Sequence, residues 1–178
     1  MKIKGSGNQD DPKFQPSYDK NALIQVRNVD KYCMFYALEL ARKFHDREEI
    51  KRFNAGEPIY SNPKELKARR PFVNYQMNFN RQKENILQML KEAGIPDNRS
   101  SYGVEDAMKV QECYDRKYPD TYRIVIMDNN PVAKPLWKAP FRNYRYQVAI
   151  IHDGNHYHGL KSVASYFFGP RVKYCIGK

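Results

Sequence analysis

Asp30-Lys31-Tyr32-Cys33-Met34-Phe35-Tyr36-Ala37-Leu38-Glu39-Leu40-Ala41-Arg42-Lys43-Phe44 is the stretch from which the fold of this 178-residue chain can be read. Phe35, Ala37, Leu38, Leu40, Ala41 and Phe44 return at the three- and four-residue spacing of a helix with one apolar face. Asp30 stands just before the run, where a carboxylate can accept from the unpaired amides of a first turn and cap it. The spacing therefore predicts a buried helix starting at Cys33. The rest of the chain must supply the surface it is buried against.

Upstream, Ala22-Leu23-Ile24-Gln25-Val26 is a short apolar run of strand type, closed by the polar turn Arg27-Asn28-Val29-Asp30. Residues 1–18, rich in Gly, Asp, Asn, Gln and Pro, lack apolar periodicity and read as a flexible arm. Downstream, the polar stretch from Arg47 to Asn80 contains Pro58, Pro63 and Pro71, so it reads as a surface insertion with any helix interrupted. Gln82 to Ala93 has an apolar face of Ile86, Leu87, Met89, Leu90 and Ala93, with Gly94 as its stop. A third helix is expected over Val104 to Tyr114, with Val104, Ala107, Met108 and Val110 turned inward.

Beyond Pro119 the periodicity changes. Tyr122-Arg123-Ile124-Val125-Ile126-Met127 is β-branched and short, which predicts a central strand ended by Asp128-Asn129-Asn130-Pro131. A Pro-containing loop leads to a second strand over Tyr144 to His152, expected to pair with the first. Asp153-Gly154-Asn155 then turns the chain into His156-Tyr157-His158-Gly159-Leu160. The expectation is an α+β protein, with N-terminal helices packed on a C-terminal antiparallel sheet. Residues 19–178 are enough for one domain and too few for two.

Composition narrows the function classes. Lys plus Arg outnumber Asp plus Glu by 31 to 20, a formal charge of +11, which favours a polyanionic partner or an acidic protein surface. The densest basic run, Lys64 to Arg70, also fits a solvated face. No apolar stretch approaches the ~20 residues that cross a bilayer, so no membrane partner is expected. Cys33, Cys113 and Cys175 are odd in number and widely spaced, and no apolar leader follows Met1. Structural disulfides are therefore not expected, and an intracellular setting is.

The chemistry-bearing residues converge on two places. A cysteine in the first turn of a helix lies among unpaired N–H groups and the positive end of the dipole, which lower a thiol's pKa and can hold an oxyanion. Cys33 has that position, and His156, entering a strand after a turn, is the imidazole best placed to serve it as base. A small core residue at Cys33 is the competing reading. His152, His156 and His158 allow a zinc reading but lack a clear fourth ligand, and His45 suits the negative end of the first helix. Cys113 and Cys175 read as packing residues.

Asp30-Lys31-Tyr32-Cys33-Met34-Phe35-Tyr36-Ala37-Leu38 together with the distant His156-Tyr157-His158 resembles the two motifs of ovarian-tumour (OTU) type cysteine proteases. In that family an Asp stands three residues before the nucleophile and an aromatic follows the histidine. The order of elements is more closely similar to an OTU-like domain of large self-synthesising DNA transposons, often found ahead of a protein-primed DNA polymerase. Ile24 to Leu38, Ile86 to Pro96, Val104 to Gln111, Tyr122 to Met127, and His156 through Phe168-Gly169 to Tyr174-Cys175 carry that likeness.

The resemblance implies a papain-like fold over 19–178 and a thiol protease or deubiquitinase-type amide hydrolase that uses no cofactor and no catalytic metal. Cys33 would be the nucleophile, His156 the base, and Asp30 part of the loop shaping the oxyanion site. It further implies a protein substrate of ubiquitin-like or self-encoded type, and a Cys175 that begins a zinc-binding pair continued past Lys178. The family's Gly-Asn before the cysteine is Lys31-Tyr32 here, and its acidic or amide residue two after the histidine is His158. The orienting group is thus open among His158, Asn155 and Asp153. The alternative expectation is a catalytically silent nucleic-acid-binding module of a mobile-element replication protein.

Overall fold

The computed structural model describes residues 20–28, 30–46, 71–130 and 132–168. The 1–18 arm, the basic run Lys64 to Arg70 and Cys175 lie outside these residues. A short 3-10 turn, Lys20–Ala22, leads into β1 (Leu23–Ile24) and α1 (Cys33–His45). Then come α2 (Pro71–Gln76), α3 (Phe79–Ala93), α4 (Val104–Lys117), β2 (Tyr122–Asp128), β3 (Pro135–Lys138), β4 (Tyr146–Asp153), β5 (His156–Leu160) and α5 (Val163–Phe168).

The helices end where local chemistry ends them. The Asn78 side chain accepts from Arg81 N–H at 3.1 Å to start α3, and Gly94, at φ 68°, closes it in the left-handed conformation that glycine adopts without strain. At α4 the Gly103 N–H donates to the Asp106 carboxylate, 2.9 Å away, and Arg99 pairs with that same carboxylate. The expected apolar faces are corrected at their margins. Ile86 and Leu90 are buried, whereas Leu87 is 38% exposed and Met108 41% exposed. One residue is about 100° around a helix, so each is carried off the stripe that packs.

The strands form one five-stranded sheet in the order β1-β5-β4-β2-β3. The antiparallel sheet expected from the sequence needs correcting at its centre: β2 and β4 run parallel, from Tyr122 opposite Tyr146 to Asp128 opposite His152, while the other pairs are antiparallel. The reason is β3, which forms within the expected loop and returns the chain to the starting end of β2. There Arg145 and Tyr146 donate to the carbonyls of Asp120 and Thr121, so β4 sets out in the direction of β2 on its other side.

Both faces of the central strands are covered. Ile124, Ile126, Val148, Ile150 and Tyr157 join the core of α1, α3 and α4, while Val125, Met127, Ala149, Ile151 and Leu160 pack with Val163, Tyr166 and Phe167 of α5. Strands buried on two faces read as continuous apolar runs, as β2 and β4 do. Helix α1 rides on β5 at Gly159, where a Cβ would come 3.1 Å from Ile24 Cβ and 3.3 Å from the Ala37 carbonyl oxygen. Glycine permits that approach as it stands, whereas a Cβ would need its neighbours to give by a few tenths of an ångström. It brings the first turn of α1 beside the start of β5.

Candidate functional site

Cys33 is the first residue of α1, and its burial is intermediate. The N-cap is Tyr32, and no side chain caps the helix. The expected cap, Asp30, instead builds the turn before it. Its Oδ1 accepts from Tyr32 N–H at 3.0 Å and from Asn28 Nδ2 at 2.9 Å, and its Oδ2 accepts from the Tyr36 hydroxyl at 3.2 Å. Burial, reinforced by this carboxylate, pushes Tyr36 up to about 12. Because Asp30 is committed to the turn, the amides of the first helical turn stay open to the Cys33 sulfur.

Three backbone N–H groups, those of Tyr157, Met34 and Cys33 itself, act on that sulfur and pull its pKa down. Burial outweighs them, with Asp30 adding to it, so the thiol is raised above its ordinary value. The lowered pKa expected from the helix start is corrected accordingly. Dipole and amides act only at the helix end, whereas loss of water acts on the whole ion.

The contact with Tyr157 brings Cys33 to the residue after His156. Along β5, Tyr157 lies in the core shared with α1 while Leu160 lies in the opposite cluster, so His156 and His158 project from the other side of the strand to Tyr157. The two imidazoles have ring centroids 4.7 Å apart. His156 Nε2 stands 2.8 Å from the carbonyl oxygen of Val26, and His158 Nδ1 accepts from the Val26 N–H at 3.0 Å. No hydrogen bond joins Cys33 to His156 among the described residues.

Of the sequence-derived orienting candidates, Asp153 accepts from Asn129 Nδ2 at 3.2 Å, Asn155 is exposed at the turn, and His158 is occupied with Val26. His158 is 3% exposed, and burial followed by the neighbouring His156 depresses it to about 4. His152 belongs to the other side, its ring 4.7 Å from that of Tyr157, so the three histidines of the zinc reading do not converge. Among the described residues no group of three His, Cys, Asp or Glu side chains could hold a metal. His45, read as a partner for the helix terminus, sits 2.7 Å from the Gln147 carbonyl and stacks on Tyr146. Cys113 is 1% exposed, beside Glu92.

Two participants escaped the sequence reading: the main-chain groups of Val26 and the N–H of Tyr157. Neither has a side-chain signature. The one available signal was the apolar run at Leu23-Ile24-Gln25-Val26, whose pairing with β5 would have led to them. No helix among the described residues is long and apolar enough to cross a membrane. No protein-family model matches the chain, and no curated protein matches it.

Proposed function

We propose that this chain is an OTU-like, papain-like thiol hydrolase that cleaves an amide bond in a protein substrate of ubiquitin-like class. The observation that carries the reading is the contact between the Cys33 sulfur and the N–H of Tyr157, the neighbour of His156. Adjacent Cα atoms are about 3.8 Å apart, so the thiol meets the main chain one residue from His156, at the end of β5 where that imidazole is held.

In the proposed reaction Cys33 Sγ bonds to the scissile carbonyl carbon as its proton passes to His156. The carbonyl oxygen takes up negative charge facing the amides of the α1 first turn. Collapse breaks the C–N bond, and His156 returns the proton to the departing amine. Water then attacks the thioester, giving a proton to His156 and leaving a carboxylic acid, while the thiol is regenerated with that proton. Because burial holds the resting thiol protonated, proton transfer belongs to the attack step itself.

Mass-spectrometric labelling with a ubiquitin-derived electrophile tests the reading. Cys33 should be modified at least tenfold faster than Cys113 at neutral pH, and His156→Ala should abolish that advantage. Equal rates at the two cysteines would remove it.

A second reading, attraction to nucleic acid, rests on the +11 charge and on cations stacked on aromatic rings beside the Cys33 turn. Lys31 Nζ lies 5.4 Å from the Tyr32 ring centroid, and the Arg99 guanidinium 4.9 Å from that of Tyr102. Affinity for single-stranded DNA should then fall steeply with salt, and a flat response sinks it.

A further inference from the structure

We infer that the main-chain carbonyl of Val26 is the group that orients His156, and that His158 holds Val26 in place to do so. The inference deepens the proposed hydrolase, since it rests on Cys33 and His156 working as a pair.

A carbonyl oxygen only accepts, so the His156 nitrogen 2.8 Å from it, Nε2, carries the proton. In the neutral ring the other nitrogen, Nδ1, then holds the free lone pair. Nδ1 is also the ring nitrogen nearer the main chain, and the Cys33 sulfur lies against the main chain of the very next residue. The Val26 contact therefore selects the tautomer that leaves Nδ1 as the basic nitrogen, the proton acceptor that the proposed reaction needs. An orienting carboxylate or amide side chain has the same task elsewhere, and a main-chain oxygen fills the place here.

The Val26 carbonyl is itself fixed. Regular pairing of β1 with β5 ends at Ile24 opposite Gly159. One residue beyond Gln25, both polar groups of the Val26 peptide meet imidazoles: the N–H donates to His158 Nδ1 and the carbonyl faces His156 Nε2. Val26 is 5% exposed and His158 3%, so water competes poorly for either group. Two side chains from one face of β5 thus take the place of ladder bonds just where the chain leaves the sheet for α1. In this arrangement His158 and Val26 are positioning residues, and His156 alone meets the reacting proton.

Nitrogen-15 NMR of the full chain at neutral pH tests the inference directly. His156 should show a single Nε2–H tautomer whose proton exchanges slowly enough with water to be observed. In His158→Leu that proton should vanish into exchange, and electrophile labelling of Cys33 should slow at least tenfold. His158→Asn, whose side-chain oxygen can sit where Nδ1 does, should restore both. An Nδ1–H tautomer or a tautomer mixture in the unaltered protein overturns the inference, as does an unchanged His156 signal in folded His158→Leu. If His158→Leu does not fold, the unaltered protein and the Asn variant decide the matter. A protected Nε2–H beside a Cys33 no more reactive than Cys113 would overturn the hydrolase reading and keep Val26 as the partner of His156.

Discussion

His158 shows how one residue changes meaning between chain and fold. On the chain it reads as a candidate orienting group two residues after His156, and in the fold it is a buried acceptor for a main-chain N–H. That role requires the neutral ring, and burial, followed by the neighbouring His156, keeps it neutral by holding its folded pKa at about 4 against 6.5 for the free side chain. Between those values the unfolded chain binds more protons than the folded one, so stability must fall as pH falls through that window. Denaturant titrations should show a loss on the order of 2 kcal/mol from pH 7 to pH 4, absent in His158→Asn. Cys33 follows the same logic with opposite charge: its position at the helix start was legible, but its raised thiol was not, because burial is a property of the neighbours.

At the scale of elements, α1 is the best example of a helix recognised correctly but understood incompletely. Its apolar spacing predicts a buried helix, and every residue from Met34 to Arg42 is buried, including the charged Glu39 and Arg42 that the spacing leaves out. These two form an ion pair at 3.0 Å, joined by the Tyr75 hydroxyl at 2.9 Å and by the rings of Tyr118 and Tyr122 beneath the guanidinium. Removing one partner leaves a desolvated charge, so Glu39→Ala should lower the unfolding free energy by about 3 kcal/mol. Urea denaturation checks this, and a loss below about 1 kcal/mol would mean that solvent reaches Arg42. The three long helices and the β2, β4 and β5 strands were legible to within a few residues, because each has its own periodicity and stop signals. α2, β3 and α5 were not, since a strand of four residues and helices of six rely on the surface they dock against.

For the whole molecule, the sheet is the frame that brings the distant pieces together. β2 and β4 lie at its centre with apolar layers on both faces, and their amides should be the last to exchange with deuterated water. Earlier exchange there than in α1 would contradict that layering. The amino-acid sequence alone determined the kinds of elements, their order, and the two motifs that nominate Cys33 and His156, because periodicity and turn chemistry act over neighbouring residues. Tertiary structure decided the parallel course of β2 and β4, the burial that raises the thiol, and the choice of Val26 as the partner of both imidazoles. Those outcomes depend on which main-chain groups are left unpaired once the sheet has closed against the helices, and pairing across more than a hundred residues leaves no mark in local sequence.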